Sequence, residues 1–292
     1  MTPRSWLFAP GDSAAKMDKA VASGADAVIF DLEDSVAEAG KASARSLVLD
    51  ALRRHAGAEP QLHVRINPLS TPHALQDLAT IVAAGPAGVV LPKPDSAADA
   101  GRLGDYLSAL EAQAGRAIGA IGILPIATET PRSLFSLGGY ADAKMSNPRL
   151  SGLTWGAEDL PAAVGAATNQ GEDGGYSDLC RLARSLCIAA AAGAEVPAID
   201  TVYPAFRDLQ GLRAYAARGR REGFVGMLAI HPAQVEVINQ VFTPSADELE
   251  HARAVVDLFA ASPKAGVLVL NGKMIDRPHL KQAQVILARD QD

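Results

Sequence analysis

Short apolar runs that end in polar or charged residues recur along the chain, with helix-like segments between them. There are eight such runs, and they lead into Gly11, Asp31, Asn67, Lys93, Glu129, Asp159, Ala205 and His231. Ala-rich stretches with helical spacing lie between several of them, at residues 12–23, 40–56, 96–114 and 177–193. Strands that alternate with helices predict a parallel sheet of βαβ units, and eight units close a (β/α)8 barrel.

A doubly wound open sheet is the competing architecture. Such a sheet, if it bound a dinucleotide, would carry a glycine-rich turn after its first strand, and Pro10-Gly11-Asp12-Ser13 is not such a turn. A barrel takes about 250 residues, so a chain of 292 residues has room for a C-terminal addition. We therefore predict a (β/α)8 TIM barrel over residues 1–243, followed by a C-terminal helical extension or lid over residues 244–292.

Charge and composition argue against several classes of protein. The net charge is −6 and no extended basic stripe is present, so we expect no nucleic-acid partner. No apolar run reaches the length of about 18 residues that a membrane span needs. The N-terminus lacks the apolar stretch of a signal peptide, and we expect a cytoplasmic protein. The six histidines show neither HxxxH nor HxH spacing, which argues against a zinc site.

The second apolar run ends in three carboxylates within four residues, Asp31, Glu33 and Asp34. Like charges this close repel one another, so a fold tolerates them where solvent, basic side chains or a divalent cation lie beside them. The alternative is an acidic, solvated turn that caps the next helix. In a (β/α)8 barrel the carboxyl ends of the strands carry the chemistry, which favours a functional site.

Two further carboxylates form a candidate metal site. Glu129 closes the fifth run and Asp159 lies just beyond the sixth, so neighbouring strands of one barrel would bring them near a common ion. Oxygen ligands without Cys or His suit a hard cation, and Mg²⁺ typically takes one or two carboxylates with water and substrate. The alternative is that either acid only caps a helix, since Thr130 and Pro131 look like a helix start.

Arg65, at the end of the third run, is the candidate anion-binding residue. A guanidinium can grip a carboxylate with two parallel hydrogen bonds. A buried ion pair with Asp31, Glu33 or Asp34 is the alternative, and both roles can hold at once.

The chain also resembles a known family through motifs that occur in order along nearly its whole length. They are Leu7–Gly11, residues 24–35 with Lys41 and Arg45, residues 64–68, residues 91–93, Glu129–Thr130, residues 156–160, residues 223–226 and residues 230–234. The chain resembles the citrate lyase β-subunit-like family of CoA-ester lyases, which includes malyl-CoA and citramalyl-CoA lyases.

The resemblance implies roles for individual residues. It implies a Mg²⁺ or Mn²⁺ ion held by Glu129 and Asp159, with Glu129 also touching the substrate. It implies that Arg65 holds carboxylate and carbonyl oxygens of the substrate during catalysis.

A CoA thioester is the substrate that the resemblance implies, bound near Pro10, Gly11 and Lys16. Ala14 and Ala15 stand where relatives often carry a basic residue, which leaves the identity of the thioester carrier open. For the acidic cluster, Asp31, Glu33 and Asp34, we expect a supporting role around the metal's water shell and Arg65.

The region from Gly272 to His279 resembles the lid of the stand-alone lyases. The resemblance implies that Asp276 reaches into a neighbouring subunit's site as an acid/base catalyst, and hence a homo-oligomer, a trimer or a hexamer. The alternative is that Asp276 only stabilises a turn before Pro278.

The function that we expect is Mg²⁺-dependent cleavage of a 3-hydroxyacyl-CoA, of the malyl-CoA or citramalyl-CoA type, to acetyl-CoA and glyoxylate or pyruvate by reversible Claisen-type chemistry. Related alternatives are a citrate lyase β subunit that acts on a carrier-bound thioester, a malate-synthase-like enzyme and a thioester hydrolase. A non-catalytic CoA-ester-binding homologue is the alternative from a different class.

Overall fold

The computed structural model describes residues 2–146 and 148–291, and its centre is a sheet of eight parallel strands. The strands are β1 (Ser5–Pro10), β2 (Ala27–Asp31), β3 (Gln61–Arg65), β4 (Gly88–Leu91), β5 (Gly122–Pro125), β6 (Leu153–Thr154), β7 (Ala198–Asp200) and β8 (Gly226–Ala229). All eight coincide with runs that the sequence predicts as strands.

The sheet closes on itself into a barrel. Hydrogen-bonded neighbours follow the order β5-β4-β3-β2-β1-β8-β7-β6. Isolated parallel bridges then join the β5 side to the β6 side, at Ile123 with Leu150 and at Ile126 with Thr154. The N–H of Ala127 donates to the carbonyl of Thr154 at 2.7 Å in this seam. The predicted (β/α)8 TIM barrel is confirmed.

Helices connect the strands and surround the barrel. They are α1 (Ala14–Val21), α2 (Lys41–Arg54), α3 (His73–Ile81), α4 (Ala97–Gln113), α5 (Pro131–Leu134), α6 (Gly139–Ser146), α7 (Asp159–Ala163), α8 (Asp178–Gly193), α9 (Leu209–Glu222), α10 (Val235–Phe242), α11 (Ala246–Ala261) and α12 (Arg277–Gln291). Short 3₁₀ turns lie at Glu38–Gly40, Val82–Ala84 and Pro232–Gln234. None of the described helices is long and apolar enough to cross a membrane.

The hydrophobic core has two layers, because successive side chains of a strand point to opposite faces. Along β2, Ala27 and Ile29 pack inside the barrel with Trp6, while Val28 and Phe30 pack outward against the helices. Both faces of the strand are therefore apolar up to Asp31. The carboxyl ends of the strands are where the polar side chains can meet.

The last part of the chain contains an element that the sequence interpretation missed. Between α11 and α12 lies a hairpin of β9 (Val267–Leu270) and β10 (Lys273–Asp276). Asn271 and Gly272, at φ 50° and 76°, form its turn, and an Asn-Gly pair is a strong local indication of such a hairpin. The predicted helical extension is thus helix–hairpin–helix, and its boundary at residue 243 stays a prediction.

His63 lies inside the barrel, 2% exposed, with its ring 4.7 Å from that of Trp6. Its Nδ1 has no hydrogen-bond partner among the described residues. Burial lowers the pKa of His63 to about 4, so the folded protein keeps this imidazole neutral.

This burial predicts a loss of stability in acid. Because the unfolded chain protonates His63 near pH 6.5 and the folded one only near pH 4, stability present above pH 6.5 is lost as the pH falls towards 4. Between pH 7 and pH 5 the free energy of unfolding should fall by about 2 kcal/mol more in the wild type than in His63→Gln. Urea titrations at both pH values measure this. His251→Gln, at an exposed histidine of α11, should behave as the wild type; an equal fall in all three proteins would contradict the assignment.

Candidate active site

A buried salt bridge joins the ends of the neighbouring strands β2 and β3. Arg65 donates from Nε to Asp31 Oδ1 and from Nη2 to Asp31 Oδ2, each at 2.7 Å. The backbone N–H groups of Glu33 and Ser35 donate to the same carboxylate. Burial would raise the pKa of Asp31, but the hydrogen bonds and charge of Arg65 outweigh it and hold that pKa below its ordinary value. Asp31 is therefore a fixed anion that orients Arg65.

Arg65 also faces the other two acids of the cluster. Its Nη1 lies 2.8 Å from Glu33 Oε2 and 3.6 Å from Asp34 Oδ2, and its guanidinium stacks over the ring of Phe8. The ion pairs that the sequence left open are thus present. Asp31 takes the Nε–Nη2 edge, and Glu33 and Asp34 lie beside Nη1, so three acids surround this guanidinium.

The loop after β2 is held from beneath by two side chains. Lys41 donates from Nζ to the carbonyls of Leu32 and Glu33 at 2.8 and 2.7 Å, and Asn67 donates to the carbonyl of Leu32. The Glu33 side chain is only 4% exposed. Its Oε2 touches Arg65 without the angle of a hydrogen bond, and it has no hydrogen-bond partner among the described residues. This buried carboxylate oxygen is therefore held by the charge of Arg65 and not by a hydrogen bond.

Lys93, just after β4, places a second cation among the acids. Its Nζ lies 2.6 Å from Glu33 Oε1, 3.2 Å from Asp159 Oδ1 and 3.4 Å from Asp34 Oδ1. Burial would lower the pKa of Lys93, but the hydrogen bond and charge of Glu33, with Asp159 and Asp34, raise it above its ordinary value. The ammonium is therefore a permanent charge at this position.

Glu129 is a third buried acid at the mouth of the barrel, the end where the carboxyl ends of the strands meet, with 4% exposure. Its Oε2 accepts the backbone N–H of Lys93 at 2.7 Å. Burial raises the pKa of Glu129 well above its ordinary value, and the charges of Glu33 and Asp159 raise it further. The joint role of Glu129 and Asp159 as ligands of one cation stays a prediction. The helix start after Glu129 is also present, with Thr130 accepting from the N–H of Ser133.

Gly156 makes room for Glu129. A Cβ atom at residue 156 would lie 2.8 Å from Glu129 Cγ and 3.0 Å from Oε1. Carbon atoms do not approach so closely without a shift of one of them. Residue 156 must therefore be a glycine for the buried Glu129 to pack as it does. The motif Gly156–Leu160 includes this glycine, but the sequence alone did not explain why it is needed.

Pro10 and Gly11 lie against the acidic cluster, as their place at the end of β1 predicts. The N–H of Gly11 donates to the carbonyl of Asp31 at 2.8 Å, and a Cβ at residue 11 would lie 2.6 Å from that oxygen. Lys16 is exposed on α1, and its ammonium has no hydrogen bond or ion pair among the described residues. On the β1 side of the mouth, the backbone at Gly11 thus lies close to Asp31, and the exposed Lys16 is available to bind an anion.

Asp276 lies away from these residues, at the start of α12. Its carboxylate and backbone interact with His279, whose N–H and ring both contact Asp276 Oδ1. The hydrogen bond from His279 lowers the pKa of Asp276, so this exposed carboxylate is an anion. Within one chain the turn-stabilising role is the one that the contacts support, and the role in a neighbouring subunit stays a prediction.

Sequence reasoning placed Lys93 at a strand end but did not assign its function. Lys93 received no role, although it directly follows an apolar strand and Pro92. The available indication was its place at a strand end, the same indication that identified Arg65 and Glu129.

Comparison with known proteins decides the family. The sequence pattern of the family described as HpcH/HpaI aldolase/citrate lyase matches residues 4–232, which contain all eight barrel strands. The chain belongs to this family. The resemblance drawn from the motifs is thereby confirmed, and the HpcH/HpaI family is a family of enzymes.

Relatives in the family match over their full length. The citrate lyase subunit beta of Escherichia coli (strain K12) is 35% identical over 290 residues, covering 99% of this chain and 93% of the relative. The (3S)-malyl-CoA thioesterase of Cereibacter sphaeroides (strain ATCC 17023) is 33% identical over 290 residues, covering 98% and 94%. The crystal structure of CitE from Mycobacterium tuberculosis in complex with magnesium, acetoacetate and coenzyme A has a TM-score of 0.78 at 32% identity, covering 100% of this chain and 99% of that chain. HpcH/HpaI relatives of this length therefore include a lyase subunit and a thioesterase.

The contact between Gly156 and Glu129 predicts a coupled effect of two substitutions. Gly156→Ala should lower the free energy of unfolding by about 1–3 kcal/mol, because its methyl group overpacks the buried acid. In a Glu129→Ala background the same change should cost much less, because the atoms it meets are gone. Urea unfolding of the four proteins measures this coupling.

The matched control for this cycle is Gly101→Ala in α4, where a Cβ meets nothing within 4 Å. It should leave stability unchanged or raise it slightly, since alanine favours a helix over glycine. Equal costs of Gly156→Ala in both backgrounds would contradict the contact.

Proposed function

We propose that this protein is a Mg²⁺-dependent carbon–carbon lyase. Its substrate is a 3-hydroxyacyl-CoA of the malyl-CoA or citramalyl-CoA type, and its products are acetyl-CoA and glyoxylate or pyruvate. The observation that supports the proposal is that Lys93, in a chain of the HpcH/HpaI family, contacts both acids: its backbone N–H donates to Glu129 and its Nζ lies 3.2 Å from Asp159. Arg65 and Lys93 both contact Glu33 beside them.

The carboxylate oxygens at the mouth of the barrel are the type of ligand that a hard divalent cation prefers. All candidate ligands are carboxylate oxygens, and the buried Glu129 carboxyl makes no ion pair within 4 Å among the described residues. Five acidic side chains face two basic ones there, so the acids are in excess and a divalent cation would favour their ionised form. The carboxylates are those of Asp31, Glu33, Asp34, Glu129 and Asp159, and the cations are Arg65 and Lys93.

Glu129 and Asp159 would hold the cation. Within the described residues no group of three His, Cys, Asp or Glu side chains is arranged around a metal ion. Two carboxylates completed by water and substrate oxygens are the usual environment of Mg²⁺. Mn²⁺ has the same preference for oxygen ligands. When bound, such an ion supplies a Lewis acid that stabilises negative charge on substrate oxygens.

Arg65 would bind the carboxylate of the 2-oxo acid portion, while Asp31 keeps the guanidinium in place. The substrate hydroxyl would pass its proton to the anionic carboxylate of Asp276 from a second copy of the chain as the Cα–Cβ bond breaks, and the bonding electrons pass to the thioester carbonyl as an enolate. Protonation of the enolate carbon then yields acetyl-CoA. No oxidant or second substrate is consumed.

Asp276 of a second copy of the chain would deliver that proton, and would remove it in the condensing direction. The same assignment makes the active protein a homo-oligomer. Pro10 and Gly11 offer backbone near the acids for the thioester end of CoA, and Lys16 offers a charge for its phosphates.

The test of the function is product analysis with malyl-CoA and with citramalyl-CoA, in Mg²⁺ and in EDTA. Phenylhydrazine traps a released 2-oxo acid, and chromatography detects acetyl-CoA. The proposal predicts equal amounts of both products, only with metal, and loss of both in Glu129→Gln and Asp159→Asn. Folded protein that forms neither product from either substrate would contradict it.

Thioester hydrolysis is the second candidate, because a relative of 33% identity is named (3S)-malyl-CoA thioesterase. The same assay separates the two functions. Hydrolysis of malyl-CoA gives free malate and CoA with no trapped glyoxylate, whereas cleavage gives glyoxylate and acetyl-CoA.

Mixing of inactive variants tests the role of Asp276. Asp276→Asn and Glu129→Gln should each lose at least about a hundredfold in turnover, the usual scale for a general acid or base. Co-expressed, they should recover part of the activity, because some sites then combine an intact Glu129 with an intact Asp276 from the neighbour.

Co-expressed Glu129→Gln and Asp159→Asn serve as the control and should recover nothing, since both residues belong to the same mouth. Failure of the first pair to recover activity, or full activity of Asp276→Asn alone, would contradict catalysis across subunits.

A further inference from the structure

Lys93 has an unusual backbone that aims its two polar groups at different acids. Its φ is 50°, in the left-handed region that a residue with a Cβ seldom adopts. Strain of this kind persists where surrounding contacts enforce it. In this conformation the N–H of Lys93 donates to Glu129 Oε2 at 2.7 Å, while its side chain runs to the acids on the other side.

The ammonium of Lys93 bridges carboxylates from two separate loops. Glu33 and Asp34 follow β2, and Asp159 begins α7; Nζ lies within 3.4 Å of an oxygen from each of them. The Lys93 side chain is 28% exposed, so water screens these contacts only in part. One residue thus fixes Glu129 through its backbone and holds Asp159 through its charge.

We propose that Lys93 is a positioning residue whose ammonium competes with the divalent cation for Asp159. This rests on the proposed function, in which Glu129 and Asp159 hold the cation. The ammonium, displaced from Asp159, would keep its contacts with Glu33 and Asp34, while the N–H of Lys93 keeps Glu129 in position.

A consequence follows for metal affinity. The ammonium competes with the cation for Asp159, and after displacement it still lies beside a like charge. Like charges a few ångströms apart in a partly desolvated site repel each other strongly. Lys93 therefore weakens metal binding while it keeps the surplus carboxylates ordered, and its removal should strengthen metal binding.

Gain of affinity is the result that separates this role from a purely structural one. Loss of a residue that only supported the site would loosen the carboxylates and weaken binding or leave it unchanged. Competition for Asp159 predicts the opposite sign.

The experiment is titration of the substrate-free protein with Mn²⁺, followed by electron paramagnetic resonance and by calorimetry, at fixed pH and ionic strength. Lys93→Met keeps the backbone N–H and the length of the chain but removes the charge. It should bind Mn²⁺ at least about tenfold more tightly than the wild type, given the size of close charge repulsion. Lys93→Arg, which keeps the charge, should stay close to the wild-type affinity.

Lys19→Met is the matched control, since it removes one positive charge from an exposed position on α1, and its Mn²⁺ affinity should be that of the wild type. Circular dichroism and melting curves establish that each variant is folded. Unchanged or weaker Mn²⁺ binding by folded Lys93→Met would overturn the inference and leave the proposed function intact. Absence of Mn²⁺ and Mg²⁺ binding by the wild type as well would overturn the metal site on which both depend.

Discussion

Excess negative charge at one end of the barrel is the constraint around which this molecule is organised. Carboxylates that follow β2, β5 and β6 meet there, and a fold can keep them together only with compensating cations. Arg65 supplies one through a buried bidentate pair with Asp31, and Lys93 supplies the other. The pairs leave a net negative charge, and burial keeps Glu129 from solvent. Burying unpaired charge is costly, so such a site favours an additional cation.

The barrel topology explains how these acids come to lie close together. Parallel strands covered on both faces place every strand end at the same edge, so acids far apart in sequence become neighbours. Two glycines then set the fine geometry. Gly11 lets the chain pass within contact distance of the carbonyl of Asp31, and Gly156 leaves the volume that Glu129 fills. Neither position has space for a methyl group, which links local backbone to the chemistry of the mouth.

The sequence predicted the barrel because its strands are apolar on both faces and therefore stand out as continuous runs, each ending in a polar residue. It predicted Asp31, Arg65 and Glu129 as members of one site for the same reason. It did not decide whether Arg65 would pair with protein carboxylates, because that depends on side-chain reach across strands. The bridging role of Lys93 was not predictable either, since it needs a left-handed residue and a four-carbon side chain that crosses between loops. In the C-terminal part, the Asn271-Gly272 pair indicated a β-hairpin, but the prediction of a purely helical extension overlooked it.

We propose that one divalent cation, held between Glu129 and Asp159, completes the strand-end carboxylates. The most direct measurement is a crystal structure with Mn²⁺, with data collected at the manganese absorption edge. The account predicts one anomalous peak per chain in contact with a carboxylate oxygen of each of these residues, and Lys93 Nζ withdrawn from Asp159. A peak elsewhere, or no peak at the mouth at saturating Mn²⁺, would contradict it.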